Sequence, residues 1–165
     1  DGHCYAGLWS LRAARAGAAQ VLGVDTSAAA IEQANANAAL NAALSCTFEC
    51  ADVMQVLERK ETWDIVLLDP PPLAKSRAQA NKALGVYQSL NRAAMRAIAP
   101  GGYLVTSSCS HAVDLPSFME TIKRAARSAQ RQAWILETRG ASPDHPVLMA
   151  MPETEYLHCF ALRIF

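Results

Sequence analysis

Residues 20–42 read QVLGVDTSAAAIEQANANAALNA. A short apolar run ends on an acid, Asp25, and a long alanine-rich segment follows it. The run suits a strand, and Thr26 or Ser27 is placed to cap a helix by accepting an otherwise unpaired N–H. The same strand-then-helix unit repeats along the chain. SCTFEC (45–50) reads as a strand, residues 53–60 as a helix, and the unbroken apolar stretch in WDIVLLD (63–69) as a strand buried on both faces. Residues 70–85 are polar and contain Pro and Gly, which predicts a loop. A helix over about 86–98 is then closed by Pro100-Gly101-Gly102. GYLVTSSCS (102–110) predicts a strand and residues 115–130 an amphipathic helix, while QAWILET (132–138) and EYLHCFALRIF (155–165) predict strands. Repeated βα units imply an α/β fold with a mostly parallel sheet. The helix-free stretch 139–154 leads to the expectation that the last strand runs antiparallel.

The 165 residues suit one domain, 1–165, with its own core. A hydrophobic fraction of 52% against 18% charged excludes a disordered chain. The 15 acids and 15 bases cancel, which taken alone argues against a nucleic-acid partner. They are unevenly spread, however. Nine acids and four bases precede Pro70, whereas six acids and eleven bases follow Asp69. Between Asp69 and Asp114 there is no acid, while Lys75, Arg77, Lys82, Arg92 and Arg96 all fall there. Such a run is either a solvated face or a surface for an anionic substrate.

Five cysteines without a CxxC pair fit neither a zinc site nor a disulfide framework, so no metal and a reducing cytoplasm are expected. Cys46 and Cys50 are expected on one face of their strand as small buried residues. Trp9, Trp63 and Trp134 are expected in the core. No apolar run is long enough to span a membrane. The opening Asp-Gly-His-Cys-Tyr, without an initiator Met, suggests an N-terminal truncation.

In open α/β sheets, ligands bind beyond the carboxyl ends of the strands. Those ends carry Asp1 with Cys4-Tyr5-Ala6-Gly7, then Asp25, Asp52, Asp69-Pro70-Pro71 and Ser107-Ser108-Cys109-Ser110. Gly7 precedes a helix, where a small residue lets the backbone approach a ligand. Asp25 follows Gly7 at a distance suited to a carboxylate that binds ribose hydroxyls. A turn Asp is usually only a turn Asp, and the first loop lacks GxGxxG. The series as a whole favours a nucleoside-type cofactor.

DGHCYAG, GVDTS, ADV, LLDPPP, APGGYLVTSSCS, PDHPV and EYLHCFALR together resemble successive motifs of class I S-adenosylmethionine-dependent methyltransferases. The likeness is to bacterial 23S ribosomal RNA 5-methylcytosine methyltransferases of the large-subunit methyltransferase I type, and it runs over the whole chain. It implies a Rossmann-like sheet whose first strand, like an upstream RNA-binding domain, lies before Asp1. It implies S-adenosylmethionine as cofactor and RNA, 23S ribosomal RNA, as substrate. By the same resemblance Asp1, Cys4, Tyr5 and Gly7 lie at the methionine part of the cofactor. Asp25 binds the ribose with Thr26 and Ser27 nearby, and Asp52 and Val53 meet the adenine. Asp69 faces cofactor and target base, and Cys109 is the nucleophile. Gly2, His3, Ala6, Leu8 and Pro72 depart from the family pattern.

The chemistry explains the thiol. Carbon 5 of cytosine is a poor nucleophile until a thiolate adds to carbon 6, and removal of the carbon-5 proton afterwards expels the thiolate. Asp69 and Cys109 are expected on adjacent strand ends. The residues alone also allow Cys109 to be a small buried side chain. His145 is either an acid/base or, more commonly, a structural loop residue, and His3 and His111 are expected to be non-catalytic. Rival readings are an N-methyltransferase, which Pro72 in place of an aromatic disfavours, and a small-molecule or protein methyltransferase. A catalytically incomplete cofactor-binding fragment is a third. A NAD-dependent dehydrogenase lacks its glycine fingerprint. Homo-oligomerisation is compatible with all of these.

Overall fold

A computed structural model describes residues 1–74 and 76–165; Lys75, one of the bases of the acid-free run, lies outside the described residues. The chain forms two compact units, Asp1–Arg59 with Leu67–Asp69, and Lys60–Val66 with Pro70–Phe165. Strands and helices alternate in both, as expected of an α/β chain, and the last strand runs antiparallel.

In the first unit, helix α1 (Leu8–Arg15) leads to β1 (Val21–Asp25), α2 (Ala28–Leu40), β2 (Cys46–Cys50) and α3 (Val53–Leu57). β1 and β2 pair in parallel, Val21 with Cys46 through Asp25 with Cys50. Ser27 caps α2, its Oγ accepting from the Ala30 N–H at 3.3 Å. Gly2 forms parallel bridges to both Val24 and Leu68. Its N–H donates to the Leu67 carbonyl at 2.8 Å, and the Cys4 N–H donates to the Val24 carbonyl at 3.0 Å. Gly2 therefore bridges β1 and the end of β3 (Trp63–Leu68).

In the second unit, a 3-10 turn at Arg77–Gln79 is followed by α4 (Ala80–Ala97), β4 (Ile98–Ser108), α5 (Leu115–Ala129), β5 (Ala133–Arg139) and β6 (His158–Ile164). The sheet order is β3-β4-β6-β5, with β6 antiparallel to both neighbours. Tyr87, Phe118, Phe160, Leu104 and Leu162 are fully buried; each such side chain contributes roughly 1.5–3 kcal/mol of burial. Phe118 meets Tyr87 edge-on at 5.2 Å and stacks on Phe160 at 5.6 Å. Arg131 ties the helix–strand junction together, its guanidinium donating to the Met95 and Ile98 carbonyls at 2.9 Å each.

Several local expectations need correction. α4 starts at Ala80, inside the expected loop; Gly85 did not stop it, because that position is open to solvent and the opposite face buries Ala83, Tyr87 and Leu90. The chain is already extended at Ile98, so the Pro100-Gly101-Gly102 breaker lies within β4. β3 is buried only at Val66 and Leu68, since the Asp64 charge keeps the start of the strand at the surface. Cys50 is exposed and Cys46 only half-buried. Trp9 and Trp134 are exposed and Trp63 is half-buried, so none is a core residue.

Candidate functional site

The first unit gathers every residue that the resemblance assigns to a cofactor. Asp25 closes β1, Asp52 follows β2 and Asp69 follows β3, each at a carboxyl end. The loop from His3 to Gly7 is strained. His3 (φ 62°), Tyr5 (φ 46°) and Gly7 (φ 81°) all adopt the left-handed conformation, which is costly for the two that carry a Cβ. Gly7 has a second constraint, since a Cβ there would lie 2.9 Å from the Phe48 ring.

Asp25 holds this loop. One carboxylate oxygen accepts from the Tyr5 N–H at 3.0 Å and the other from the Ser27 N–H at 2.9 Å. Each carboxylate oxygen has a further lone pair with which it can accept donors such as ribose hydroxyls. Thr26 is exposed beside it. Asp52 caps α3, one oxygen accepting from the N–H groups of Met54 at 2.8 Å and Gln55 at 3.2 Å. Val53, next along, is buried. One oxygen of Asp1 accepts from the Ser10 N–H and hydroxyl at 3.0 and 2.7 Å. Its other oxygen is buried with no partner among the described residues. Tyr5 is exposed, so its ring is open to a ligand.

His3 is half-buried in the same loop. Burial lowers its basicity, and the carboxylates of Asp25, Asp52 and Asp69 pull it back up. Cys4 is buried, and burial together with the Asp25 charge pushes its thiol up to about 11. It is a structural thiol rather than a nucleophile.

In the second unit Cys109 comes immediately after β4 and is half-buried. Its thiol donates to the Pro70 carbonyl at 3.6 Å. Ser110, fully buried, accepts from the N–H groups of Leu73 at 3.0 Å and Ala74 at 3.2 Å, and lies 3.1 Å from the Tyr87 hydroxyl. His111 stacks on Tyr156 with ring centres 4.1 Å apart. His145 is exposed beside Asp144. Arg77 and Lys82 are exposed, and Arg92 is half-buried. Among the described residues, no group of three or more His, Cys, Asp or Glu is placed to hold a metal ion, and no helix is long and apolar enough to cross a membrane.

Residues 3–150 match the family described as a methyltransferase domain. The chain is 36% identical over 168 residues to the ribosomal RNA large subunit methyltransferase I of Shewanella denitrificans. It is 38% identical over 167 residues to the protein of the same name from Photobacterium profundum. Each comparison covers 98% of this chain and 42% of the relative, so the chain spans less than half the length of these proteins. The crystal structure of SMU.776 complexed with SAH superposes with a TM-score of 0.85 at 19% identity, over 98% of this chain and 43% of that one, a likeness of fold.

Proposed function

The chain belongs to the methyltransferase-domain family, and on that premise we propose that it is the catalytic domain of an S-adenosylmethionine-dependent RNA methyltransferase. Its product is 5-methylcytosine in ribosomal RNA, the 23S RNA of the cytoplasm. The observation that carries the reading is the placement of Asp25, Asp52 and Asp69 at the ends of three strands in a single unit, beside a strained loop that Asp25 anchors. The names of the relatives supply the substrate class.

The donor set fits the cofactor. Asp25 offers lone pairs to vicinal hydroxyls, Asp52 keeps one oxygen outside its helix cap for an amino group, and Val53 offers an apolar contact. The unpartnered buried oxygen of Asp1 is an acceptor that an ammonium group would complete. S-adenosylmethionine, when bound, supplies an electrophilic methyl group. The Cys109 thiolate adds to carbon 6 of the base, which makes carbon 5 nucleophilic; carbon 5 would then take the methyl group with S-adenosylhomocysteine as the leaving group, and loss of the carbon-5 proton re-forms the double bond and releases the thiolate. Asp69 hydrogen-bonds the pyrimidine edge in this reading. The base must be unstacked to reach the thiol.

Titration with S-adenosylmethionine and with S-adenosylhomocysteine, followed by incubation with ribosomal RNA and methyl-labelled cofactor, tests the proposal. Saturable binding and label at cytosine carbon 5 are expected, with Cys109→Ala abolishing transfer but not cofactor binding. Label on an exocyclic nitrogen, or undiminished transfer by Cys109→Ala, overturns it.

A further inference from the structure

Beyond the nucleophile itself, we infer that Ser110 and Tyr87 are positioning residues that set the reactivity of Cys109 by pinning a stiff triprolyl strut beside it. The inference rests on the nucleophile reading for its catalytic meaning. Its structural content does not depend on that reading.

Hydrogen-bond accounting orders the network. A serine hydroxyl has two acceptor lone pairs and one proton. Both Ser110 lone pairs are committed, to the N–H groups of Leu73 and Ala74. The Ser110 proton must therefore point to the Tyr87 oxygen, 3.1 Å away. Tyr87 thus serves Ser110 as an acceptor. Ser108 accepts from the Ser110 N–H at 3.4 Å. Ser108, Ser110 and Tyr87 are all fully buried, so no water competes. The Tyr87 ring is itself fixed edge-on against Phe118 in the core.

The pinned residues, Leu73 and Ala74, end a run of three prolines, Pro70-Pro71-Pro72. Each proline ring locks φ near −65°, so the run behaves as a short strut rather than a hinge. One end of the strut is held by Ser110. The other end presents the Pro70 carbonyl to the Cys109 thiol at 3.6 Å. A hydrogen bond accepted from the S–H favours the neutral thiol over the thiolate. Ser110 therefore acts on its neighbour Cys109 through the proline strut as well as through the chain. This gives Pro72, a departure from the family pattern, a mechanical role: it completes the strut.

The test reads the thiol directly. The rate of Cys109 alkylation by iodoacetamide, followed by peptide mapping across a pH series, is measured in the wild type and in Ser110→Ala, Ser110→Thr, Tyr87→Phe and Pro72→Gly. Ser110→Ala and Pro72→Gly are expected to move the profile to lower pH and raise the rate at pH 7 about threefold, the effect of losing one weak hydrogen bond. Tyr87→Phe is expected to move it in the same direction by less, and Ser110→Thr, which keeps the hydroxyl, to restore the wild-type profile. Superimposable profiles for wild type, Tyr87→Phe and Pro72→Gly overturn the inference, even if Ser110→Ala fails to fold. Because no methyl transfer enters the readout, a shifted profile together with full activity of Cys109→Ala would retain the strut and discard the nucleophile. An unshifted profile with inactive Cys109→Ala would do the reverse.

Discussion

The Tyr5 backbone N–H donates to the Asp25 carboxylate at 3.0 Å, across 20 residues of chain. One acid thereby fastens the first loop to the end of β1 and, through its second oxygen, the start of the segment leading to α2. The left-handed conformations of His3 and Tyr5 persist against that hold.

Removing the hold should release the loop. Asp25→Ala is expected to lose about 2 kcal/mol of stability, the range for hydrogen bonds to a charged acceptor, offset in part by relief of strain. Asp25→Asn should lose less, because its amide retains one acceptor oxygen. Urea denaturation measures both. A variant Asp25→Ala as stable as the wild type would show that the loop holds itself.

Phe48 fills the space that two glycines leave. A Cβ on Gly23 would lie 2.4 Å from the ring and 3.0 Å from the Ser10 Oγ. Gly23→Ala is expected to cost about 2 kcal/mol by overpacking. In a double-mutant cycle with Phe48→Leu, the pair should be less destabilised than the sum of the single changes. Strict additivity would refute the steric account.

Acid should weaken the fold before carboxylates titrate. Burial holds His3 and His158 below the usual histidine range; His3 faces Asp25, Asp52 and Asp69, and His158 faces Glu155 and Asp114. The unfolded chain then takes up protons first. Their contribution is complete above about pH 6.5 and is lost as the pH falls through that value. The urea midpoint is expected to fall between pH 7.5 and 5.5, and His158→Gln to flatten the fall. An unchanged midpoint across that interval is the contrary result.

The cap of α5 titrates lower. Asp114 accepts from the Ser117 N–H at 2.8 Å, and its hydrogen bonds to Ser117 hold its carboxyl below the usual range. The cap therefore works above about pH 4 and is lost as the pH drops further. Asp114→Ala should cost about 1 kcal/mol at pH 7, measured by thermal unfolding, whereas Asp114→Ser should be close to neutral. Equal losses in the two variants would assign the effect to something other than capping.

The order of elements was legible because apolar runs and alanine-rich segments alternate with little ambiguity. The acids at strand ends were legible for the same reason: once a run such as VLGVD is taken as a strand, Asp25 has only one place to be. Burial was less legible. Trp134 looks like a core residue in a linear reading, yet it is exposed on β5, the last strand of its sheet. The start of α4 was missed because Gly85 weighs against a helix locally, while the buried face that favours it is tertiary. The Ser110 network was invisible for a similar reason, since its partners are 23 to 37 residues away.

The double bridge of Gly2 bears on how the chain folds as it is made. The first unit comprises Asp1–Arg59 but also Leu67–Asp69, and Gly2 bonds to both Leu67 and Asp69. A nascent chain that has emerged only as far as Arg59 lacks the strand end that closes this unit. Synthesis must first run through Trp63–Val66, which belong to the second unit. Domains tend to fold in the order in which they leave the ribosome, but here the first unit cannot close before part of the second has been delivered. The two units are interleaved in time as well as in sequence.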